Sequence, residues 1–337
     1  MHILITGGCG FVGARLARTL LAQGQLCIAG AAPQAIRTIT LSDRAEPPAD
    51  LAADARVKFV GGDLNELIAK GQLPLKDAQV IYHLAAAVSG ECEADFDLGM
   101  RSNLDATLGL LQACRHAGHQ PTVVFSSSLA VFGGSAEQPM PAVIEDHTLP
   151  TPQGSYGIQK FIGEQLVADF ARKGFIRGRN VRLMTVSVRP GRPNGAASGF
   201  LSGMIREPLA GVRAVVPVAP DTPVALASPR ITIDGLIRAV QASDAEWGPR
   251  TALNFPSITC TVRQMADALH AVAGDAGTAL LDWKPDPAIE KLVYSWPGRV
   301  NAVRAAGLGL RPDASFEAIV REYVRENPAA IKIPVKG

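Results

Sequence analysis

The sequence predicts an α/β fold: a doubly wound parallel sheet followed by a smaller C-terminal domain. Three observations point to it. Through the first half of the chain, short β-branched runs alternate with longer helical patterns. A glycine-rich segment, Gly7-Gly8-Cys9-Gly10-Phe11-Val12-Gly13, stands between the first strand and the first helix. From about position 189 the alternation stops, and Pro and Gly become dense between positions 190 and 229.

His2–Thr6 is the first strand, a short apolar run ended by glycine. Val12, Leu16 and Leu20 recur every four residues with Ala17 and Leu21 beside them, which predicts an amphipathic helix ending near Gly24. Residues 37–41, 57–60, 80–84, 122–126 and 181–188 read as further strands, with helices over 96–117 and 156–172. Residues 231–242 read as a helix that returns to the main sheet. The expected division is therefore a dinucleotide-binding domain of residues 1–188 joined by 231–245, and a substrate domain of 189–230 and 246–330. The tail after Asn327 is expected to be loose.

Composition narrows the class. A chain of 337 residues, 47% hydrophobic, buries a large core without help from metal or disulfide. Thirty-three basic against 31 acidic residues give a formal charge of +2, and no basic stripe with interleaved aromatics is present, so nucleic acid is not an expected partner. The five cysteines are scattered without a C-x-x-C pair, which argues against zinc or dithiol chemistry and leaves them, Cys9 included, as small apolar residues. The first apolar segment is too short for a signal sequence, and no run of about 18 apolar residues follows. A soluble cytoplasmic protein with no membrane partner and no metal is the expectation.

The glycine segment follows a strand and opens a helix, the context that turns a glycine pattern into a dinucleotide fingerprint. Glycines let the backbone turn tightly and approach a pyrophosphate, while unpaired N–H groups and the helix dipole attract its charge. It fits both G-x-x-G-x-x-G and, from Gly8, G-x-G-x-x-G, so the loop alone names no family. A carboxylate at the end of the second strand binds adenosine ribose hydroxyls and selects NAD, and Asp43 is the candidate. It stands 30 positions after Gly13, so extra chain must lie between Gly24 and Arg37. The competing placement makes 26–29 the second strand and Asp43 a surface residue; Arg44, beside it, is either solvated or placed to meet a 2′-phosphate. Asp63 after the third strand is a nucleotide contact or a plain N-cap. Ala85, Ala86 and Ala87 end the fourth strand with small side chains that leave room at the crevice.

The most specific pattern comes next. Ser126-Ser127-Ser128 ends a strand, and Tyr156-Gly157-Ile158-Gln159-Lys160 opens a helix. Tyrosine and lysine four apart share a helical face, so the ammonium lowers the phenol pKa from about 10 toward neutrality and the phenolate accepts a hydroxyl proton. A bare Y-x-x-x-K is common by chance; the glycine loop and serine strand in the same order give it weight.

On these residues the chain resembles the extended short-chain dehydrogenases/reductases, the NAD-dependent epimerase/dehydratase family, essentially over its whole length. The resemblance implies a Rossmann sheet with a substrate-binding C-terminal domain and NAD as cofactor. It places Gly7, Gly10, Phe11, Val12 and Gly13 in the pyrophosphate loop, Asp63 and Leu64 at the adenine, and Ala85 and Ala86 beneath the cofactor, with Ser126, Tyr156 and Lys160 also facing it. Ser128 is the implied catalytic hydroxyl, in a match to S-S-x-x-V-Y-G that departs at Phe132. Asn103 matches the helix asparagine that helps position the catalytic lysine. A homodimer through the 96–117 and 156–172 helices is the implied assembly.

Within the family, the strings HLAAAVSG (83–90), SVRPGRPN (187–194), REPLAG (206–211) and SPR (228–230) resemble those of members acting on small sugar acids, and that resemblance implies oxidation of a C2 hydroxyl, with D-erythronate as the expected substrate. A substrate carboxylate needs a fixed cation, and a guanidinium offers a planar two-donor fork. Arg192 follows a strand end expected to face the cofactor, and Arg230 aligns with a substrate-contacting arginine of the related epimerases. Ser89 and Asn194 are assigned to the remaining hydroxyls. The alternative is a nucleotide-sugar epimerase using the same tyrosine, lysine and serine. A dehydratase needs an Asp-Glu pair after the catalytic hydroxyl, where Leu129 and Ala130 stand. A non-catalytic dinucleotide sensor commonly lacks the Tyr-Lys pair retained here.

Overall fold

The computed structural model describes residues 1–191 and 197–336. By packing, the chain divides into two units: Met1–Ser128, Ser155–Arg182 and Ile233–Leu253 form the first, and Leu129–Gly154, Leu183–Thr232 and Asn254–Gly337 the second. The 129–154 stretch thus falls in the second unit, where the sequence division kept it with the nucleotide-binding part.

The first unit is built on a seven-stranded sheet of β1 (His2–Thr6), β2 (Thr38–Asp43), β3 (Val57–Gly61), β4 (Val80–His83), β5 (Thr122–Ser128), β6 (Arg177–Leu183) and β7 (Leu253–Asn254), in the order β7-β6-β5-β4-β1-β2-β3. Pairing is parallel from β3 through β5, with Thr6 opposite both Ser42 and His83. Ile3, Leu4 and Ile5 are fully buried, as expected where helices cover both faces of a parallel sheet. The order reverses between β1 and β4, which opens a crevice at their carboxyl ends, the position where doubly wound sheets bind ligands.

Helices α1 (Phe11–Gln23), α2 (Leu64–Ala69), α3 (Ala106–Ala117) and α4 (Ser155–Arg172) pack in the first unit. α1 ends where Gly24 turns left-handed at φ 68°. The chain between Gly24 and β2 forms a small antiparallel hairpin, Gln25–Leu26 with Gln34–Ala35, so the second strand of the main sheet is Thr38–Asp43 and not the 26–29 segment. The helix expected over 96–117 is broken. Asp95 is extended at φ −139° and caps a new turn, Phe96–Gly99, which runs through a π-helical turn, Met100–Asp105, into α3. The run 181–188 is also divided: β6 ends at Leu183, and Thr185–Val186 pairs in a different sheet. Alternating β-branched residues specify extended backbone but not the partner strand, so the sequence pattern did not mark that change.

The second unit holds a three-stranded sheet of Ile258–Thr261, Pro223–Ala227 and Thr185–Val186, and a two-stranded one of Ala214–Val216 and Leu281–Trp283. Its core joins Met204, Ile205, Leu226, Met265, Leu269 and Val320. The tail is not loose: Lys332 N donates to Leu209 O at 2.8 Å, Lys336 N to Val272 O at 2.7 Å, and Ile331 and Ile333 pack on the core. Among the described residues no helix is long and apolar enough to cross a membrane.

Candidate active site

The glycine loop closes against the sheet. Gly7 has φ 67°, and a Cβ there would lie 2.8 Å from Ala85 N; a Cβ on Gly13 would lie 2.3 Å from Gly7 O. Only glycine fits either place. Gly10 caps α1 without a side-chain bond, and the first turn of α1 carries no acidic residue, so its N–H dipoles stay directed at the crevice. A cavity of about 240 Å³ opens there, lined by Gly7, Gly10, Asp43, Asp63, Leu64 and Ala85, with Ala86 and Arg44 at its wall. The cradle that glycine alone permits fits a dinucleotide pyrophosphate, and the carboxylate at the end of β2 lies in the same cavity.

Asp43 is anchored as well as placed. Oδ2 accepts from Cys9 N at 3.0 Å and Oδ1 from Ala45 N at 3.1 Å, which ties the carboxylate to the glycine loop. Burial, with Asp43 and Glu46 nearby, pushes the Cys9 thiol up to about 11, so it is a protonated small side chain. Asp63 is an N-cap, accepting from Asn65 N at 3.0 Å at the start of α2, and it also lines the cavity.

At the floor, His83 is buried between Thr6 Oγ1, 2.7 Å from Nδ1, and Thr107 Oγ1, 3.0 Å from Nε2. Burial first, then the charge of Lys160, pushes its pKa down to about 3, so it is a neutral brace between β4 and α3. Asn103 lies in the π-helical turn. Its Oδ1 accepts from Ala87 N at 2.8 Å, while Nδ2 donates to Ala87 O at 3.2 Å and to Gln159 Oε1 at 2.7 Å. The amide therefore ties Ala87, in the segment after β4, to the residue preceding Lys160. Gln159 carried no signal of its own in the sequence.

Lys160 is 2% exposed, with Nζ 4.9 Å from the Phe125 ring centre and 5.7 Å from that of Tyr156. Burial pushes its pKa down to about 8, partly countered by Cys92. The three serines of β5 take different tasks. Ser126 Oγ donates to His83 O at 3.1 Å, Ser127 Oγ donates to Glu164 Oε1 at 2.5 Å, and Ser128 is half-buried at the strand end. Tyr156 stands in the first turn of α4, whose Ser155 N donates to Glu93 Oε1 at 2.7 Å. Ser89, buried, opens the short Ser89–Ala94 helix after β4. The first unit thus carries Ser128, Tyr156, Lys160 and the crevice residues together.

The arginines assigned to a substrate carboxylate have different fates. Arg192 and Asn194 lie outside the described residues. Arg230 is half exposed and doubly engaged: Nη2 donates to Asp313 Oδ1 at 3.2 Å and Nε to Glu322 Oε2 at 3.1 Å. The other Asp313 oxygen accepts from Ser228 N at 2.8 Å, so this arginine helps hold the 228–230 corner, and a substrate carboxylate there must share it. The sequence reading missed the buried Glu164–Arg182 pair, although Tyr156, Lys160 and Glu164 follow one another at steps of four on one helical face.

Residues 3–222 match the profile of the NAD dependent epimerase/dehydratase family. The chain is 48% identical over 326 residues to a D-erythronate dehydrogenase of Cupriavidus necator, covering 97% of this chain and 98% of the relative. A D-erythronate dehydrogenase of Haemophilus influenzae is 38% identical over 324 residues, 96% of this chain and 99% of the relative. Among solved structures, a nucleoside-diphosphate-sugar epimerase from Agrobacterium tumefaciens superposes with a TM-score of 0.89 at 39% identity, covering 98% of this chain and 95% of that one. An L-threonine 3-dehydrogenase from Trypanosoma brucei, at 21% identity and a TM-score of 0.81 over 98% of each chain, shares the fold.

Proposed function

The chain belongs to the NAD-dependent epimerase/dehydratase family, and from that premise we propose that it oxidises the C2 hydroxyl of a small sugar acid, D-erythronate, to the 2-oxo acid with NAD as acceptor. The observation that carries the chemistry is the buried Lys160, one turn from Tyr156 on a helix that starts beside the serine strand. Near-full-length similarity to relatives named D-erythronate dehydrogenase supports the substrate.

A bound nicotinamide supplies the two-electron acceptor. The chain supplies the proton chemistry and the geometry. Tyr156 accepts the proton of the C2 hydroxyl as its phenolate, which the adjacent Lys160 ammonium favours. Ser128 holds the same oxygen and donates to it as the carbonyl forms. Ala85 and Ala86 leave the crevice open beneath the cofactor, and Asn103 fixes the turn on which Lys160 depends. Asp43 binds ribose hydroxyls and repels a 2′-phosphate, which makes NAD the preferred form over NADP. Arg192 or Arg230 pairs with the substrate carboxylate, and Ser89 and Asn194 hold its hydroxyls. Five free cysteines fit a reducing, cytoplasmic setting.

We propose further that two copies pair through α3 and α4, where Leu108, Ile158 and Ile162 are exposed apolar residues on neighbouring helices, together with the exposed Phe96 on the turn that leads through the π-helical segment into α3. One competing reading has an observation behind it: the Agrobacterium structure carries the name of a nucleoside-diphosphate-sugar epimerase. The two are separated by incubating the purified protein with NAD and aldonates of four to six carbons, following absorbance of the reduced cofactor, and in parallel with UDP- and dTDP-sugars. NADH formation with D-erythronate is expected. Silence toward every aldonate, with a nucleotide sugar converted and no net NADH, overturns the dehydrogenase reading.

A further inference from the structure

Helix α4 bears three functional groups at steps of four: Tyr156, Lys160 and Glu164. The third is not part of the proton chemistry, yet it is 1% exposed and ionically paired. Its carboxylate accepts from Ser127 Oγ at 2.5 Å, and from Arg182 Nε at 2.8 Å and Nη2 at 2.7 Å in a two-point fork. Its backbone carbonyl accepts from Asn180 Nδ2 at 2.9 Å. One residue of α4 is thereby fixed to β5 and to β6 at the same point, and the β5 partner, Ser127, is the immediate neighbour of Ser128.

Stability does not account for this arrangement. Burying a carboxylate and a guanidinium costs much of what their attraction returns, and apolar residues of similar volume commonly serve a core as well or better. What an apolar cluster lacks is direction. A greasy contact tolerates a small slide or rotation of a helix, whereas a two-point guanidinium fork with a third bond from a serine is met in a single register. The helix lies tight on β5 at that level: Gly163, next to Glu164, lets the Phe125 ring come within 2.5 Å of where a Cβ would be.

We infer that Glu164 is a positioning residue: through Ser127 and Arg182 it sets the register of α4 on β5, and so the distance between the Tyr156 phenol and the Ser128 hydroxyl. The inference rests on the proposed dehydrogenase chemistry in assigning those two oxygens a shared substrate proton. It extends the Tyr156-Lys160 pair to a third residue that touches neither substrate nor cofactor.

The test replaces the pair by apolar residues, Glu164→Leu with Arg182→Met, and separately removes one bond with Ser127→Ala. Thermal melting and NAD affinity establish that each variant is folded. The readout is the ionisation of Tyr156, followed at 295 nm as the difference between each protein and its Tyr156→Phe counterpart; the chain has only four tyrosines, and burial pushes Tyr82 and Tyr323 upward, away from the window. If Glu164 positions the helix, the Tyr156 midpoint rises by about one unit in the double variant and by less in Ser127→Ala. Ser128→Ala raises the midpoint in the native background and adds nothing in the double variant. Turnover of D-erythronate falls at least tenfold with KM for NAD unchanged. A folded double variant with native midpoint and native turnover overturns the inference and makes the pair a space-filling contact. Should the double variant fail to fold, Ser127→Ala decides by the same criterion. The phenol titration needs no substrate, so an inactive wild-type protein with a shifted midpoint sinks the erythronate reading and leaves the positioning role intact.

Discussion

The two units of the chain bury charge in different ways. In the first, His83 at the end of β4, Lys160 over Phe125 of β5, and Glu164 with Arg182 between β5 and β6 sit at or just below the carboxyl ends of strands, while Arg179, buried near the start of β6, is a strut to Asp244 and the Ala239 and Ala242 carbonyls. In the second, charge is used to hold corners, as where Asp313 accepts from Ser228 N while pairing with Arg230, and where Arg206 donates to Arg189 O at 2.8 Å and pairs with Glu207. A doubly wound sheet dictates its own functional edge, so charge placed there acquires a chemical role from topology alone. Small sheets and loops dictate no such edge, and the same residue types there read equally well as struts or as ligands.

The sharpest way to break this contrast is at its most charged point. Tyr156→Phe removes the proton acceptor and leaves the ring to pack, so turnover is expected to fall by roughly 10² to 10⁴ with NAD binding and folding intact. Retention of more than about a tenth of wild-type turnover in steady-state assays contradicts the acid-base assignment.

The contrast also explains what the sequence disclosed. The glycine loop, the serine strand and the Tyr-Lys helix are local patterns whose chemistry depends on residues within a few positions, and the sheet followed from the same alternation of strand and helix. Glu164 escaped notice because its partners, Ser127 and Arg182, are 37 and 18 positions away and neither is unusual by itself. The π-helical turn at Met100–Asp105 was hidden because apolar spacing hardly differs between α and π turns over six residues. The hairpin between Gly24 and Arg37 was anticipated as extra chain, and its form was not. In the second unit, Arg230 offered a plausible ligand in the sequence, and only the structure brought Asp313 and Glu322 to it.

Cofactor selection gives a smaller effect. Asp43 is tied to Cys9 N and Ala45 N, so its carboxylate is fixed in the wall of the crevice cavity, and the proposed preference for NAD depends on it. Wild-type protein is expected to prefer NAD, and Asp43→Ala to lower the ratio of kcat/KM for NAD over NADP at least tenfold, mostly by weakening NAD; an unchanged ratio removes Asp43 from the site.

Burial of the first unit's charges should also show as pH-dependent stability. His83 titrates at about 3 in the fold and 6.5 when unfolded. Between these values the unfolded chain holds a proton that the fold excludes, so stability falls as pH drops from 6.5 toward 3, by up to about 1.4 kcal/mol per unit. Lys160 follows the same sign at higher pH. Its fold value of about 8 lies below the ordinary 10.5, so the cost of its buried ammonium is full below pH 8 and disappears as pH rises through 10.5. Lys160→Met should therefore stabilise the cofactor-free protein at pH 7, and that gain should vanish near pH 10.5. Urea titrations at the two pH values decide the matter; a gain independent of pH means that Lys160 is not buried as an ammonium.

The smallest effect on activity is expected where the first unit meets a second copy. Ile158 and Ile162 lie one turn apart on α4, 46% and 38% exposed, with Leu108 on neighbouring α3 also exposed. These side chains sit on the helix that carries Tyr156 and Lys160, but Lys160 points to the sheet, buried against Phe125. Substituting Ile158→Glu together with Ile162→Glu places two like charges from each copy in the proposed interface, at a cost that a modest apolar contact does not offset. Light scattering at micromolar concentration should then show the mass shift from dimer to monomer, while turnover stays within about threefold, because each copy holds its own crevice and its own Glu164 anchor. A loss of turnover in step with dissociation would mean that pairing of α4 across the interface, and not Glu164 alone, sets the helix register. A wild-type protein that is already monomeric would leave these isoleucines as isolated surface residues and remove the second copy from the account.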